Sequence, residues 1–401
     1  MIYYLFYLLV LAQIALGVYS LYEGFLWFRM VRQRLSSHAG FYTPAAALIV
    51  PCKGAERGLE ENLMAMTRFD YPNYEIYFVL ATSLDPALKV IERVKTASSK
   101  PVHIVIAGPP EDSSEKVYNL TKAVASLPES VEVYAFTDSD VRAPRTWLTK
   151  LIAPLQDSKI GATTAYRWII PNGAGGDGFA SALASVWNAS VATVLGKPEN
   201  NFCWGGGTAI RKTTFNDAKV LEAWKGAVSD DFAMTYALEV VGREIVFCPE
   251  CFAPTMHPWT FASLLEFTDR QILITKVNSP RRWKMGALAH ASYVVTLLFG
   301  LYVVLYSTID VHPWGNLLLL TLAIPVLAAM KGALRTIAIT EALPEWRSAQ
   351  ASWSWIWTVL AAIIPFLFTY NFLMSLINKR IVWRGIRYEL LGPNTTRIIR
   401  R

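Results

Sequence analysis

The stretch VEVYAFTDSD (residues 131–140) decides the fold, because a short apolar run ends there in two aspartates. A continuous apolar run of this length is typical of a strand that is buried in a parallel sheet. Further runs of this kind occupy residues 45–50, 75–80 and 102–107, and helix-like segments occupy about 58–68 and 116–126. Strands that alternate with helices predict an α/β domain with a mostly parallel sheet.

The composition indicates that part of the chain lies in lipid. Of its 401 residues, 53% are hydrophobic and 17% are charged, whereas soluble domains carry about 25% charged residues. Apolar segments long enough to cross a bilayer occupy residues 2–28, 287–309, 315–337 and 352–377. We predict an N-terminal transmembrane anchor (1–30), a cytosolic domain (40–285), C-terminal transmembrane or interfacial helices (286–378) and a basic tail (379–401).

The distribution of basic residues gives an orientation that conflicts with the number of spans. Arg29, Arg32 and Arg34 follow the first apolar segment, so the positive-inside rule places the next domain in the cytosol. Three further crossings would leave the tail outside, yet the tail has seven basic residues and one acidic residue. Either one segment is re-entrant or interfacial, or the tail breaks the rule. The segment 315–337, which contains Lys331 and Arg335, is the least certain crossing.

The net charge of +7 does not indicate a nucleic-acid-binding protein. The basic residues concentrate beside apolar segments, which favours contact with anionic lipid. We therefore expect a lipid bilayer as a partner and no nucleic acid.

Two local features, a pair of cysteines and a segment rich in small residues, each allow two interpretations. Cys248 and Cys251 form a C-x-x-C motif with His257 nearby, but no second cysteine pair follows. Two reduced cysteines in a cytosolic turn are therefore favoured over half of a zinc site. The segment 178–195 is rich in small residues, and it predicts either a core helix or a helix in the membrane interface.

Three acidic sites stand out in the polar part of the chain: Asp85, the pair Asp138 and Asp140, and the pair Asp230 and Asp231. Asp85 and Asp138 both follow predicted strands, and parallel sheets bind ligands at the carboxyl ends of strands. Two carboxylates on alternate positions suit one hard cation, Mg²⁺ or Mn²⁺, that keeps positions open for phosphate oxygens. Aspartates in turns more often cap the backbone, and we expect Asp230 to cap a helix while Asp231 points into the cleft as a base.

Six short motifs follow one another in a fixed order: Pro51-Cys52-Lys53-Gly54, Asp70-Tyr71-Pro72-x-Tyr74-Glu75, Asp85-Pro86, Lys116-x-x-Asn119-Leu120, TDSD at 137–140 and DD at 230–231. In this order they resemble the ceramide glucosyltransferase family, which is glycosyltransferase family 21 of the family 2 clan. The likeness covers about residues 45–285 and the membrane layout. It implies a GT-A-type (Rossmann-like) catalytic domain attached to a helical transmembrane bundle.

The resemblance implies a role for each matching position. Asp85 would lie near the uridine of a UDP-sugar donor, and Asp138 with Asp140 would hold a metal on the diphosphate. Asp231 would be the general base. The other nucleotide-sugar-binding positions would be Pro51, Lys53 and Lys116.

The closing motif of that family, Gln or Arg, two residues and then Arg-Trp, is not intact here. Arg270-Gln271 matches its beginning, but Leu273-Ile274 stands where Arg-Trp is expected. Arg282-Trp283 lies nine residues later and is expected to supply similar groups, although Trp283 equally suits an interfacial anchor. This departure leaves the lipid acceptor open.

The function implied is that of an inverting glycosyltransferase in glycolipid biosynthesis. It would move a hexose, with glucose expected, to a lipid hydroxyl such as that of ceramide, diacylglycerol or a hopanoid. We expect a multi-pass protein of the bacterial inner membrane with a cytoplasmic catalytic domain. If the tail is cytosolic, Trp-Arg-Gly at 383–385 and Tyr388 would pack against the site.

Two alternatives remain. A processive polysaccharide synthase of the same clan is disfavoured by the few spans and the missing Arg-Trp pair. A non-catalytic membrane scaffold or transporter is disfavoured by aspartates at all three acidic sites.

Overall fold

The computed structural model describes residues 1–36, 40–171, 178–309 and 313–400. They form two compact units. The helical unit consists of Met1–Arg32, Ile170–Thr193 and His257–Asn378. The sheet unit consists of Gln33–Ile169, Val194–Met256 and Lys379–Arg401.

The strands of the chain are β1 (Ala46–Pro51), β2 (Tyr74–Leu80), β3 (Val102–Ile106), β4 (Val133–Thr137), β5 (Ile160–Thr164), β6 (Arg167–Ile169), β7 (Gly207–Arg211), β8 (Glu244–Phe247), β9 (Ala253–Thr255), β10 (Arg380–Trp383), β11 (Ile386–Gly392) and β12 (Thr395–Arg400). The α-helices are α1 (Ile2–Ser36), α2 (Leu59–Met66), α3 (Ala87–Ala97), α4 (Glu115–Ala125), α5 (Trp147–Ile152), α6 (Gly178–Ala192), α7 (Lys212–Asp217), α8 (Val220–Trp224), α9 (Asp230–Val240), α10 (Phe261–Asn278), α11 (Pro280–Ile309), α12 (Gly315–Ala342), α13 (Arg347–Ala351) and α14 (Ser354–Ile377).

A seven-stranded sheet with the order β3-β2-β1-β4-β7-β5-β8 forms the core of the sheet unit. β3, β2, β1 and β4 are parallel, whereas β7 runs antiparallel to both β4 and β5. Every residue of β4 is buried and nearly every residue of β1 and β2, as expected for strands covered on both faces. The predicted α/β class with a mostly parallel sheet is confirmed.

The predicted strands at 45–50, 75–80, 102–107 and 131–137 correspond, in this order, to β1, β2, β3 and β4 within one or two residues. β5, β7 and β8 were not predicted. They are four or five residues long, and β5 and β7 contain glycine and threonine instead of a continuous apolar run.

The helical unit contains the apolar helices of the chain. α1, α11, α12 and α14 are each long and apolar enough to cross a membrane. The two basic residues of α12 have polar partners within this unit, because Lys331 Nζ donates to Ser20 Oγ (2.9 Å) and Arg335 Nη1 to Ser190 Oγ (3.1 Å). α6 is mostly buried, and its Trp187 stacks on Phe368 at 4.8 Å. Of the two alternatives for residues 178–195, the core helix is therefore the one observed.

The segment just before α14 and the last turns of α14 contact the same end of the α11–α12 pair. Five residues join α11 to α12, so the start of α11 and the end of α12 face the same way. Thr340 near the end of α12 donates to Gln350 Oε1 (3.2 Å), close to the start of α14. At the other end of α14, Ser375 Oγ accepts a hydrogen bond from Trp283 Nε1 (3.0 Å), in the first turn of α11. This geometry favours a helix that enters and leaves on one side, with Pro365 inside it.

The basic tail folds into a three-stranded antiparallel sheet, β10–β12, that belongs to the sheet unit. Ile386, Tyr388 and Leu390 alternate along β11 and are buried. The Tyr388 hydroxyl accepts a hydrogen bond from the backbone N–H of Glu115 (3.2 Å). The tail is thus a structured part of this unit.

Candidate active site

The carboxyl ends of β1, β2 and β4 meet at one edge of the sheet and position the predicted site residues. Pro51 ends β1 and is followed by Lys53, while Asp85 follows β2 and Asp138 follows β4. Asp85 Oδ1 accepts hydrogen bonds from the N–H groups of Gly54 and Ala87, both at 2.9 Å. Asp85 therefore ties the loop after β1 to the start of α3, and its expected contact with uridine stays a prediction.

Lys116 joins two of the three acidic motifs. It lies in the first turn of α4, where the Ser114 side chain caps the helix. Its Nζ is 2.9 Å from Asp138 Oδ1 and 3.3 Å from Asp230 Oδ1. Burial alone would lower the pKa of Lys116, but the attraction of Asp138 and Asp230 outweighs it, and the pKa lies above its usual value.

Arg167, at the start of β6, is a second cation of the site and was not predicted. Its Nη2 lies 3.3 Å from Asp138 Oδ2, so both oxygens of Asp138 face a cation. Burial would raise the pKa of Asp138, but Lys116 and Arg167 together hold it below its usual value. The guanidinium also lies over the Trp204 ring, 5.5 Å from its centroid. The only sequence signal was an arginine in the otherwise apolar stretch at 165–170.

Gly205 and Gly206 allow the close approach of these charges. A Cβ on Gly205 would lie 2.2 Å from Asp230 Oδ2 and 2.7 Å from Lys116 Nζ. A Cβ on Gly206 would lie 2.6 Å from Asp138 Oδ2. The three consecutive glycines that follow Trp204 were the sequence signal for this contact, and it was not used in the prediction.

Asp140 provides the test for a metal at the D-x-D motif. Its Oδ1 is buried and has no hydrogen-bond partner. Burial raises its pKa, Arg167 opposes the rise and Asp138 adds to it. A divalent cation would satisfy this orphaned oxygen, so the residues present fit such an ion. The turn itself is held because Asn62 Nδ2 donates to the Ser139 carbonyl (3.3 Å).

The excess of carboxylates over basic groups in this cluster also favours a bound cation. Four carboxylates, on Asp138, Asp140, Asp230 and Asp231, lie in the electrostatic field of Arg167 and Lys116. Among the described residues, no three His, Cys, Asp or Glu side chains form a metal site. A cation at Asp138 and Asp140 would thus need oxygens from water or a substrate to complete its coordination, which is typical of Mg²⁺.

One of the two roles predicted for Asp230 and Asp231 is wrong. The N-cap of α9 is Ser229, whose Oγ accepts from the Phe232 N–H (3.5 Å), so Asp230 does not cap the helix. Asp230 is buried instead against Lys116, and burial raises its pKa to about 6. Asp231 is half-buried; its Oδ1 accepts from Ser229 Oγ and from the Phe232 N–H (2.8 Å). Its role as a base stays a prediction.

The residues predicted for the closing motif belong to the helical unit. Arg270 and Gln271 lie in α10, and Arg282 and Trp283 in α11. The Arg270 guanidinium lies over the Phe267 ring at 5.6 Å. Trp283 donates to Ser375. The structure therefore assigns Trp283 a packing role inside this unit, and the predicted acceptor role of the four residues is untested.

The C-x-x-C motif has the environment of structural cysteines. Cys248 and Cys251 are both buried, and Cys251 Sγ lies 3.5 Å from the Trp147 carbonyl oxygen. Burial raises the pKa of both thiols, so they stay protonated at neutral pH.

The chain is similar in sequence to one protein family over almost its whole length. A family model for glycosyl transferase family 21 matches residues 5–395. Among solved structures, the mannosyltransferase PcManGT from Pyrobaculum calidifontis, in complex with GDP-Man and Mn²⁺, is 16% identical, with a TM-score of 0.46 over 91% of this chain and 99% of that chain. GalNAc-T7 with UDP, GalNAc and Mn²⁺ is 13% identical, with a TM-score of 0.41 over 58% of this chain and 51% of that one. Glucosyl-3-phosphoglycerate synthase from Mycobacterium tuberculosis is 14% identical, with a TM-score of 0.33 over 53% and 75%.

Proposed function

The chain belongs to glycosyl transferase family 21, and from this premise we propose that it moves a hexose from a UDP-sugar to the hydroxyl group of a membrane lipid, with inversion at the anomeric carbon. The expected sugar is glucose, and ceramide, diacylglycerol and hopanoids are the acceptor classes. The catalytic unit would face the cytoplasm of a bacterial inner membrane.

One observation carries the proposal: the buried cluster in which Lys116 joins Asp138 and Asp230 beside the unsatisfied oxygen of Asp140. It lies at the carboxyl ends of parallel strands, where such sheets bind ligands. The four helices that can span a membrane support a lipid rather than a soluble acceptor.

In this proposal each residue has a separate task. Mg²⁺ or Mn²⁺ at Asp138 and Asp140 would supply Lewis-acid stabilisation of the charge on the departing diphosphate. Lys116 and Arg167 hold Asp138 in place from both sides. Asp231 takes the proton from the acceptor hydroxyl. A single base with direct displacement attacks from the face opposite the leaving group, so an α-linked donor gives a β-glycoside.

The first prediction tests the base. Asp231→Asn should abolish sugar transfer and leave UDP affinity within about a factor of three, because only the proton acceptor is lost. The assay uses protein in lipid nanodiscs with Mn²⁺, radiolabelled UDP-sugars and native membrane lipids as acceptors. Labelled lipid is separated by chromatography, and UDP binding is measured by calorimetry.

The control is Asp217→Asn, an exposed aspartate in α7, which should transfer at the wild-type rate. Normal transfer by Asp231→Asn would contradict the base assignment. Label in a non-migrating polymer would favour the polysaccharide synthase. No labelled product with any donor would favour the non-catalytic alternative.

A further inference from the structure

The C-terminal sheet contacts the segments that carry the charged residues of the site. Tyr388 in β11 accepts from the backbone of Glu115, the residue before Lys116. The turn between β11 and β12 rests on the loop before α9, where a Cβ on Gly226 would lie 2.1 Å from the Asn394 carbonyl oxygen. Asn394 Nδ2 also donates to a carbonyl at the end of α8 (3.3 Å). Tyr388 and Asn394 both contact backbone atoms, so they hold the sheet in place.

A third contact comes from a charged side chain. Arg384, in the turn between β10 and β11, forms an ion pair with Glu56. Glu56 belongs to the loop after β1 whose Gly54 is tied to Asp85. Burial and Asp85 raise the pKa of the Cys52 thiol, and Arg384 lowers it, so the guanidinium acts on the residue beside Lys53. Arg384 therefore lies on the loop to which the nucleotide is assigned.

The backbone at Arg384 is unusual for an arginine. Arg384 has a φ of 51° and Gly385 a φ of 81°. Two-residue hairpin turns with positive φ at both central positions favour Asn or Gly, because a Cβ is strained there. In the described part of the chain, one other non-glycine residue, Lys219, has a positive φ. A costly residue at such a position suggests that its side chain has a function.

The contribution of the Arg384–Glu56 ion pair to folding does not explain why an arginine occupies position 384. The side chains of Arg384 and Glu56 are 37% and 41% exposed, and exposed ion pairs contribute little to folding. The planar guanidinium does suit phosphate and ribose oxygens, which it binds with two parallel hydrogen bonds. A nucleotide in this loop would offer it a better partner than Glu56.

We propose that Arg384 binds the nucleoside diphosphate part of the donor, with its guanidinium exchanging Glu56 for the nucleotide. The C-terminal sheet is then a wall of the donor site, and Arg384 is a binding residue of that site. This inference rests on the proposed function, since it takes a nucleotide sugar as the donor.

The test compares two ways of breaking the same ion pair in the full-length protein in nanodiscs. Arg384→Asn removes the guanidinium and places at this turn a residue that favours its backbone conformation, so the melting temperature should not fall. UDP binding in the presence of Mn²⁺ should weaken at least about tenfold, as expected for the loss of a charged hydrogen bond. Glu56→Gln breaks the pair from the other side and should bind UDP as well as the wild type or more tightly.

Two results would overturn the inference. The first is wild-type affinity of Arg384→Asn for UDP. The second is an equal loss of affinity in Arg384→Asn and Glu56→Gln, which would show that the ion pair only docks the sheet. Arg384→Lys keeps the charge without the planar fork, and it should raise the donor KM with little change in kcat. A fall in kcat alone would also contradict a binding role.

Different results would contradict the proposed function and the role of Arg384. If the wild type binds UDP and Arg384→Asn does not, but no lipid is labelled, the acceptor proposal is wrong and the role of Arg384 stands. If labelled lipid forms and Arg384→Asn binds UDP normally, only the role of Arg384 is wrong. A wild type that binds neither UDP nor a UDP-sugar would overturn both.

Discussion

One buried lysine holds together two acidic motifs that are far apart in the sequence. Lys116 contacts Asp138 after β4 and Asp230 at the start of α9. Its side chain is 15% exposed and that of Asp230 is 5% exposed. Removal of one partner from such a cluster leaves a charge buried without compensation, which costs more than the pair itself contributes.

We therefore predict that Lys116→Gln lowers the free energy of unfolding by about 3–5 kcal/mol. Lys122→Gln, an exposed lysine on the same helix that lies over the Tyr118 ring, should cost less than about 1 kcal/mol. Denaturant unfolding in detergent, followed by tryptophan fluorescence, measures both. Equal losses in the two variants would show that the buried ion pairs add nothing specific.

Asp140 gives a prediction that separates metal binding from catalysis. Its pKa is raised in the folded protein, so the ionised carboxylate opposes folding, and stability falls as pH rises through the raised pKa. Asp140→Asn should thus be more stable than the wild type at pH 7 without metal. Mn²⁺ at 100 times Kd should stabilise the wild type by about 2.7 kcal/mol through mass action and so raise its melting temperature. The melting temperature of Asp140→Asn should not change with Mn²⁺.

The exposed Asp217→Asn is the control for this experiment and should respond to Mn²⁺ as the wild type does. A melting temperature of the wild type that does not change with Mn²⁺ or Mg²⁺ would contradict a metal site at Asp138 and Asp140.

The contacts around α14 bear on the conflict between the number of apolar segments and the basic tail. Gln350, four residues before α14, contacts the end of α12, and Ser375 near the end of α14 contacts the start of α11. The tail belongs to the same compact unit as Gln33–Ile169 and Val194–Met256, so an even number of crossings must separate it from these segments. We propose that α1, α11 and α12 cross the membrane and that α14, not the segment 315–337, is re-entrant or interfacial.

Cysteine labelling from each side of the membrane tests this topology. Ser352→Cys and Asn378→Cys, which flank α14 and are exposed, should react with a membrane-impermeant reagent from the same side. That side should also label Glu129→Cys in the sheet unit, whose side chain is 98% exposed. Gly315→Cys should react from the opposite side. Labelling of residues 352 and 378 from opposite sides would show that α14 crosses. The native cysteines are buried and give little background.

Of the whole molecule, the strands of the sheet that a local apolar pattern specifies were predictable from the sequence. β1, β2 and β4 are buried on both faces, and their sequences are continuous apolar runs. Asp85 and Asp138 could be placed at the edge of the sheet because each lies a short way past the end of such a strand. The place of Lys116 near the site was implied by the family resemblance and not by this pattern.

The remaining site residues depend on long-range pairing that periodicity does not encode. Gly205 approaches Lys116 because β7 pairs antiparallel with β4, in a register that sets Thr137 opposite Gly207. Arg167 reaches Asp138 from the short β6, which no local pattern indicates. The sequence of the tail sheet did contain a signal for a strand. Apolar and charged residues alternate at 386–390, and the apolar ones are buried in β11. The basic composition of the tail pointed to a membrane-surface segment instead.

The position of β10–β12 in the chain has a consequence for biosynthesis. These strands follow α11, α12 and α14, so the ribosome makes them after it has synthesised these helices. Until then the loop that carries Glu56, the start of α4 and the Gly226 turn lack their partners. In our proposal a nascent chain cannot hold its sugar donor. The enzyme would start to work only after its membrane helices have been made, and so only beside its lipid acceptor.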